Sequence, residues 1–269
     1  MPIFSAAPVT VFDQESFHQI DRRVTGFAFD IHNEFGRYLD ENLYRNELAR
    51  RCDAVGFEVI REFQVTASLN GFEKSYFADL LVDRGVIIET KAVTSLDSRH
   101  KGQTLNYLFM CGLHHGSLLN FRPERVEREF VSTRLTHETR QQFEFMTRHW
   151  KQLTTECGRF RELLLQCLSE WGAFLDPYLY RDALTYFLGG KDQVVREVPI
   201  LSHGTVIGTQ EMHLLTDDVA FSVTASTHRP EKVLEHQQRF LNHTRLRALH
   251  WLNLNHNQVE LRTIERSQR

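Results

Sequence analysis

No stretch of the chain approaches the roughly 18 apolar residues needed to span a bilayer. The amino terminus also lacks a basic segment leading into an apolar run and a small-residue cleavage site. The expected location is therefore cytoplasmic, with no membrane partner. Cysteine is scarce: Cys52, Cys111, Cys157 and Cys167 are scattered without a C-x-x-C pair, which excludes a disulfide framework and a thiolate zinc site. Neither sign of charge dominates. With 32 Lys and Arg against 35 Asp and Glu, the formal charge is -3, so nucleic acid is not bound by bulk charge and any polyanion site must be local. No glycine-rich phosphate loop and no nucleophile elbow occur.

What the 269 residues do contain is a composition, 41% hydrophobic and 25% charged, that can bury one large core or two modest ones. They also contain a self-similarity whose long step points to duplicated domains rather than a solenoid. Residues 34–48, EFGRYLDENLYRNEL, answer residues 170–184, EWGAFLDPYLYRDAL, at an offset of 136, that of Gly172 from Gly36. IREFQV near Arg61 answers VREVPI near Arg196. ADLLVDRGVIIETKA from Ala78 answers MHLLTDDVAFSVTA from Met212, with one residue fewer in the turn. The offset then holds at 133, that of Trp251 from Leu118.

The first copy opens with a helix capped by Asp13, whose apolar positions Phe17, Ile20, Val24, Phe27 and Ile31 step by three and four onto one face. A second helix through YRNELARRCDAVG ends at Gly56, and an extended stretch through Val65 leads to Asn70-Gly71, a hairpin signal. Strands follow over 77–82 and 86–92 around Asp83-Arg84-Gly85, then a helix over 98–111 and a final strand over 117–121. Between the copies, Phe143, Met146 and Trp150 have helical spacing, and 136–158 is predicted as a connecting helix.

A three-residue loop makes paired residue numbers in the central hairpin sum to 168, so Asp79 faces Glu89 with Cβ atoms about 4.5–5.5 Å apart. Alternation puts Lys91 on the face of Glu89. The neighbours Leu80, Leu81, Val82, Val86, Ile87 and Ile88 read as strands buried on both faces, poor surroundings for unpaired charge. Two carboxylates at that separation repel by about 3 kcal/mol at an effective dielectric near 20, and a cation between them reverses the sign. Hard oxygen ligands with open coordination positions suit Mg²⁺ or Mn²⁺, which bridge phosphate oxygens and activate a water for in-line attack. Lys91 would orient that water and offset charge on phosphorus. The D-x9-E-x-K hairpin thus has the form of a phosphodiester-cleaving constellation. As a lone motif it equally describes a solvated strand face.

At these residues the chain resembles the PD-(D/E)xK nuclease superfamily, and within it the GxxExxY family. FDIHNEFGRYLDENLY is similar to that family's signature region, with His32, Gly36, Glu41 and Tyr44 in matching places, FADLLVDRGVIIETKAV to its catalytic hairpin, and GQTLNYLFMCGLHHGSLLNF to its Q-x-x-x-Y helix and closing strand. The resemblance implies that Asp79 and Glu89 bind metal, that Glu41 adds a carboxylate, and that Lys91 assists the nucleophilic water. It also implies that Gln103 and Tyr107 lie beside the scissile strand and that His32 belongs to the site. Two positions depart from the pattern: Tyr38 stands where the signature has glycine, and Ala78 where the name-giving motif has proline.

The second copy lacks this chemistry. Aligned by sequence, His32 answers Leu168, Glu41 Pro177, Asp79 His213, Glu89 Ser222, Lys91 Thr224, Gln103 His236 and Tyr107 Phe240. Framework positions agree: Gly36 and Gly172, Asp40 and Asp176, Tyr44 and Tyr180, Leu80 and Leu214, Asn120 and Asn253. A two-residue Asp217-Asp218 loop makes pairs sum to 435, so that His213 faces Ser222. For nucleic acid, Arg99, His100, Lys101 and Gln103 offer side chains and N–H groups at the start of the 98–111 helix, and Arg122, Arg125 and Arg128 extend a basic track.

The expected fold is α/β: two tandem restriction-endonuclease-like domains with mixed central sheets flanked by helices, forming an internal pseudo-dimer. Residues 14–135 carry the site, 136–158 connect, and 159–269 are degenerate. The expected function is a Mg²⁺- or Mn²⁺-dependent nuclease acting on nucleic acid, DNA before RNA, with the Q-x-x-x-Y resemblance leaning toward exonuclease-like action, and with a homo-oligomeric or protein partner on the degenerate domain. The alternative is a non-catalytic nucleic-acid or protein-interaction module on a nuclease scaffold.

Overall fold

Helix α1 (Gln14–Phe35) begins where the sequence signals it. In the computed structural model, which describes residues 2–267 of the chain, the Asp13 carboxylate accepts from the Ser16 N–H at 2.8 Å. Its buried stripe is Phe17, Val24, Ala28 and Ile31, with Ile20 and Phe27 packed at the margin of the same core. The helix stops at Gly36, whose φ of +72° suits glycine and whose N–H returns to His32 O. Helix α2 (Glu41–Ala54) adds Tyr44, Leu48, Ala49 and Cys52 to that core.

The chain divides into two compact units, one built from residues up to Ser68 and from Glu73–His137, the other from Leu69–Phe72 and from Glu138 onward. The first unit's sheet contains β1 (Ile3–Ser5), β2 (Val59–Leu69), β3 (Phe72–Val82), β4 (Val86–Lys91), β5 (His115–Asn120) and β6 (Glu127–Ser132), in that spatial order. Helix α3 (Ser98–Cys111) carries the chain from β4 to β5, which are parallel, while β3–β4 and β5–β6 are antiparallel. Leu80, Leu81, Val82, Val86, Ile87 and Ile88 are all fully buried, as their unbroken apolar run requires. Strands β1 and β6 carry no alternation in sequence. They are edge strands, ordered by the ladder groups their neighbours offer.

The second unit repeats this order of elements. After α4 (His137–Arg140) and β7 (Glu144–Met146) come α5 (Thr155–Trp171), α6 (Pro177–Phe187), α7 (Lys191–Val194), β8 (Val195–Ser202), β9 (Thr205–Leu214), β10 (Val219–Thr224), α8 (Pro230–Asn242), β11 (Ala248–Asn255) and β12 (Gln258–Glu265). The sheet order is β7-β12-β11-β10-β9-β8, with β10 parallel to β11. Framework contacts recur as well: Tyr44 Oη donates to Gly36 O at 2.7 Å and Tyr180 Oη to Gly172 O at 2.5 Å. Asn120 brackets the Val93 N–H and carbonyl as Asn253 brackets those of Ser226. Among the described residues no helix is long and apolar enough to cross a membrane.

Two expectations are corrected. The connecting helix over 136–158 does not form. Only His137–Arg140 and, from Thr155, the first turn of α5 are helical, and Glu144–Met146 instead pairs parallel to β12 at Gln258–Glu260, with the Glu144 N–H on Asn257 O. The three-and-four spacing of Phe143, Met146 and Trp150 was a weaker constraint than the open edge of β12. The second hairpin is also not closed by a two-residue loop. Leu214 pairs with Ala220 and His213 with Phe221, so paired numbers sum to 434 and the loop is Leu215–Asp218. Leu215 leaves the ladder to pack near Cys157, Val219 and Ala248, and its N–H returns to Val219 O. By this register His213 occupies the place of Leu80, and Met212 that of Asp79.

The first hairpin turns on Asp83 and Arg84, both with positive φ, and the Gly85 N–H closes it onto Val82 O. Residues 10–12 cross directly over this turn: a Cβ at Gly85 would lie 2.4 Å from Thr10 O and 2.5 Å from the Phe12 ring. Gly85→Ala must therefore displace that segment, and we expect a loss of about 1–3 kcal/mol, read as a lowered midpoint in thermal or urea unfolding. An unchanged midpoint would show that the 10–12 segment yields freely.

Candidate active site

The β3–β4 ladder has the expected register, with pairs summing to 168, but it stops at Leu80↔Ile88. Beyond that pair the strands part and side chains replace the ladder bonds. The Asp79 N–H donates to Glu89 Oε1 at 3.0 Å, while the Thr90 N–H and Thr90 Oγ1 both donate to Asp79 Oδ2 at 2.7 Å. Each carboxylate thus satisfies a backbone group of the opposite strand, which is how two acids become tolerable in a buried hairpin. On its other edge β4 stays paired, Glu89 with Leu118 and Lys91 with Asn120.

The acids are buried to different depths: Glu89 is 1% exposed and Asp79 9%. Lys91 Nζ lies 3.4 Å from Glu89 Oε2 and 3.5 Å from Glu41 Oε1, and Glu41 Oε2 accepts from the Ala92 N–H at 3.3 Å. Arg45 reaches Asp79 Oδ1 at 3.3 Å with one terminal nitrogen and Glu62 with the other, leaving its buried Nε without a partner. Burial, and then the charge of Asp79, push the Glu89 carboxyl up to about 8 against the pull of Lys91. Burial works against the Lys91 charge, but Glu89, Glu41 and Asp79 outweigh it and hold its pKa above the ordinary lysine value. Lys91 is therefore an ammonium at neutral pH, suited to orienting and stabilising rather than to removing a proton.

Asp79, Glu89, Lys91 and Glu41 are thus brought together, with Glu41 joined to the pair through Lys91. The Tyr107 hydroxyl accepts from Gln103 at 3.2 Å and donates to Phe77 O at 2.7 Å, two residues before Asp79, while burial and the charge of Glu89 raise its pKa. His32 is placed differently: its Nε2 lies 3.0 Å from Pro123 O. The start of α3 is already served by its own Asp97, which accepts from the Arg99 and His100 N–H groups and pairs with the Arg99 guanidinium, while His100 Nδ1 accepts from the Asp97 N–H. Lys101 pairs with Glu129 at 2.7 Å. Arg128 lies on β6 and is paired with the buried Asp21 instead of extending a basic track. Sequence reading missed Arg45 and Thr90. Arg45 had a signal, since it follows Glu41 by one helical turn on α2.

At the corresponding places of the second unit stand Met212, Ser222 and Thr224. Ser222 Oγ accepts from Gln237 and Thr224 Oγ1 from the indole of Trp251, a neutral network. In the first unit the donor set suits a hard divalent cation: two carboxylates side by side, one of them driven toward protonation by burial and by the other's charge. Among the described residues no three His, Cys, Asp or Glu side chains gather as one ligand set, so the fit rests on Asp79 and Glu89.

The Glu89 shift has a thermodynamic consequence. Its folded pKa of about 8 lies above the ordinary 4.5. Between those values the folded state holds a proton the unfolded state has released, so stability falls as pH rises through that window. In metal-free buffer, the unfolding midpoint of Glu89→Gln should rise relative to the parent protein as pH goes from 5 to 8.5. A difference that stays flat would show Glu89 ionised throughout.

No curated protein matches the chain. A solved structure described as the crystal structure of SSO0001 is 18% identical, covering 43% of this chain and 69% of that one at a TM-score of 0.28. The family model of the PD-(D/E)XK nuclease superfamily matches residues 18–133, the stretch that runs from α1 through α3 to β6 and contains Glu41, Asp79, Glu89, Lys91, Gln103 and Tyr107. Over residues 18–133 the chain is therefore similar to the PD-(D/E)XK nuclease superfamily.

Proposed function

We propose that the first unit is a metal-dependent nuclease of the GxxExxY type, acting on DNA, and that the second unit is a duplicated copy that has lost the chemistry. The observation that carries this reading is the buried Asp79–Glu89 pair with the Lys91 ammonium 3.4 Å from Glu89, inside the matched segment. Asp79 and Glu89 would hold Mg²⁺ or Mn²⁺, which when bound polarises a phosphate oxygen and lowers the pKa of a water. Lys91, kept charged by three carboxylates, orients the attacking water and offsets the negative charge that grows on the phosphoryl oxygens. As the new P–O bond forms in line, the attacking water releases a proton to solvent, the P–O bond to the leaving nucleotide breaks, and the leaving oxygen takes a proton from solvent. Thr90 fixes one oxygen of Asp79 with two hydrogen bonds, and Tyr107 anchors α3 to the strand just before it.

The duplication is supported by the shared order of elements and by the recurring Tyr–Gly and Asn bracket contacts. Loss of function in the second copy is supported by Met212 and Ser222 in the carboxylate places.

A second reading, a binding module on a nuclease scaffold, is favoured by one observation: Arg45 and Lys91 already serve as counter-ions to the acids. Calorimetry with Mg²⁺ or Mn²⁺ separates the two, because the nuclease requires binding heat that disappears in Asp79→Asn. In cleavage assays on single- and double-stranded DNA and on RNA, Asp79→Asn and Lys91→Ala should each lower the metal-dependent rate at least about 100-fold in folded protein. Ser222→Ala should leave it unchanged. Parent protein that cleaves none of these substrates with either metal overturns the nuclease reading.

A further inference from the structure

The departure at Tyr38 has a structural use. Its φ is not among the positive ones, so the position does not call for glycine, and the ring is 75% exposed. The backbone beneath it is tied down: Tyr44 Oη donates to Gly36 O at 2.7 Å and accepts from the Leu39 N–H at 3.1 Å, which fixes the turn on both sides of Tyr38. Two guanidinium groups lie against the ring. Arg37 Cζ is 5.2 Å from its centroid and Arg37 also donates to the phenol oxygen at 3.1 Å, while Arg122 Cζ is 6.0 Å away. Arg122 is itself anchored, with Nε on Ala92 O and a terminal nitrogen on Leu39 O. Ala92 follows Lys91 and donates its N–H to Glu41, so this aromatic and cationic bracket stands on the same backbone as the acids.

We propose that Tyr38, flanked by Arg37 and Arg122, is a stacking platform for an unpaired nucleobase of the strand whose phosphate lies at Asp79 and Glu89. The proposal rests on the nuclease reading for its location. An exposed ring on a fixed turn offers a π-face to any base, with little ordering cost on binding. Guanidinium groups beside it attract the flanking phosphates and strengthen stacking by cation–π attraction. The bases of a duplex are covered by their neighbours, so the platform selects single strands, overhangs or frayed ends. The second unit keeps an aromatic at the equivalent position but not the bracket. Phe174 is only partly exposed and packs at 5.7 Å from His256, and Ala173 and Asn255 stand in place of Arg37 and Arg122. The bracket, like the acids, belongs to the first unit alone.

The test uses full-length Lys91→Ala protein with Mg²⁺ and a single-stranded DNA oligonucleotide carrying 2-aminopurine, whose fluorescence is quenched by stacking. Adding Tyr38→Ala should weaken binding about tenfold and abolish the quench, and Tyr38→Trp should restore both. In the catalytically competent protein the loss should appear in KM more than in kcat, and a blunt duplex should not show it. Cleavage by the parent protein, measured in parallel, keeps the two readings apart. Cleavage with binding and quench indifferent to Tyr38 overturns the platform and leaves the nuclease. Tyr38-dependent binding without cleavage overturns the nuclease and leaves the platform, and absence of any oligonucleotide binding overturns the platform.

Discussion

A carboxylate with 1% exposure, placed beside a second carboxylate on the neighbouring strand, is the constraint around which the first unit is arranged. Glu89 can be ionised there only with help, because burial and the Asp79 charge both oppose it. The fold supplies that help in three forms. The strands part beyond Leu80↔Ile88 so that backbone N–H groups meet the acids. Lys91 is held between Glu89 and Glu41, and Arg45 is brought from α2 onto Asp79. A pair held this way has strong electrostatic demand and only partial compensation, the condition under which a divalent ion would be drawn in.

The two units show how separable framework and chemistry are. A six-stranded sheet in which two strands joined by a crossover helix run parallel (β4–β5 and β10–β11), a helix ended by a glycine whose carbonyl receives a tyrosine hydroxyl, and an asparagine bracketing a loop backbone all occur in both units. These contacts are local or lie in the sheet, so they do not depend on the polar set of the hairpin. In the second unit the ladder places hold Met212 and Ser222, and the polar contacts that remain are neutral ones to Gln237 and Trp251. Without buried charge, that hairpin needs no cation.

The surface around the acids is less basic than the count of arginines suggests. Arg99 is neutralised by Asp97, Lys101 by Glu129 and Arg128 by Asp21. The cationic groups at the edge of the site whose terminal contacts are with carbonyls or a phenol are Arg37 and Arg122, and both lie against Tyr38. In a protein with nearly balanced charge, any affinity for a polyanion has to come from such local groups.

Much of this was legible in the amino-acid order, because the deciding forces are local. The capping of α1 by Asp13, the Asn70-Gly71 turn, the buried run of β3 and β4 and the 168 register follow from side-chain identity and strand alternation over a few residues. Arg45 on Asp79, the opening of the ladder at Asp79 and Thr90, and the self-capping of α3 at Asp97 depend on where separate elements meet. The same is true of the strand at Glu144–Met146 and the slipped register at His213. An open sheet edge overrode the helical spacing of Phe143, Met146 and Trp150, and a packing site for Leu215 added residues to a turn that two aspartates alone would have closed. Periodicity specifies which side chains share a face, but unpaired backbone groups and vacant core volume, which exist only once the chain has folded, decide which partner each segment takes.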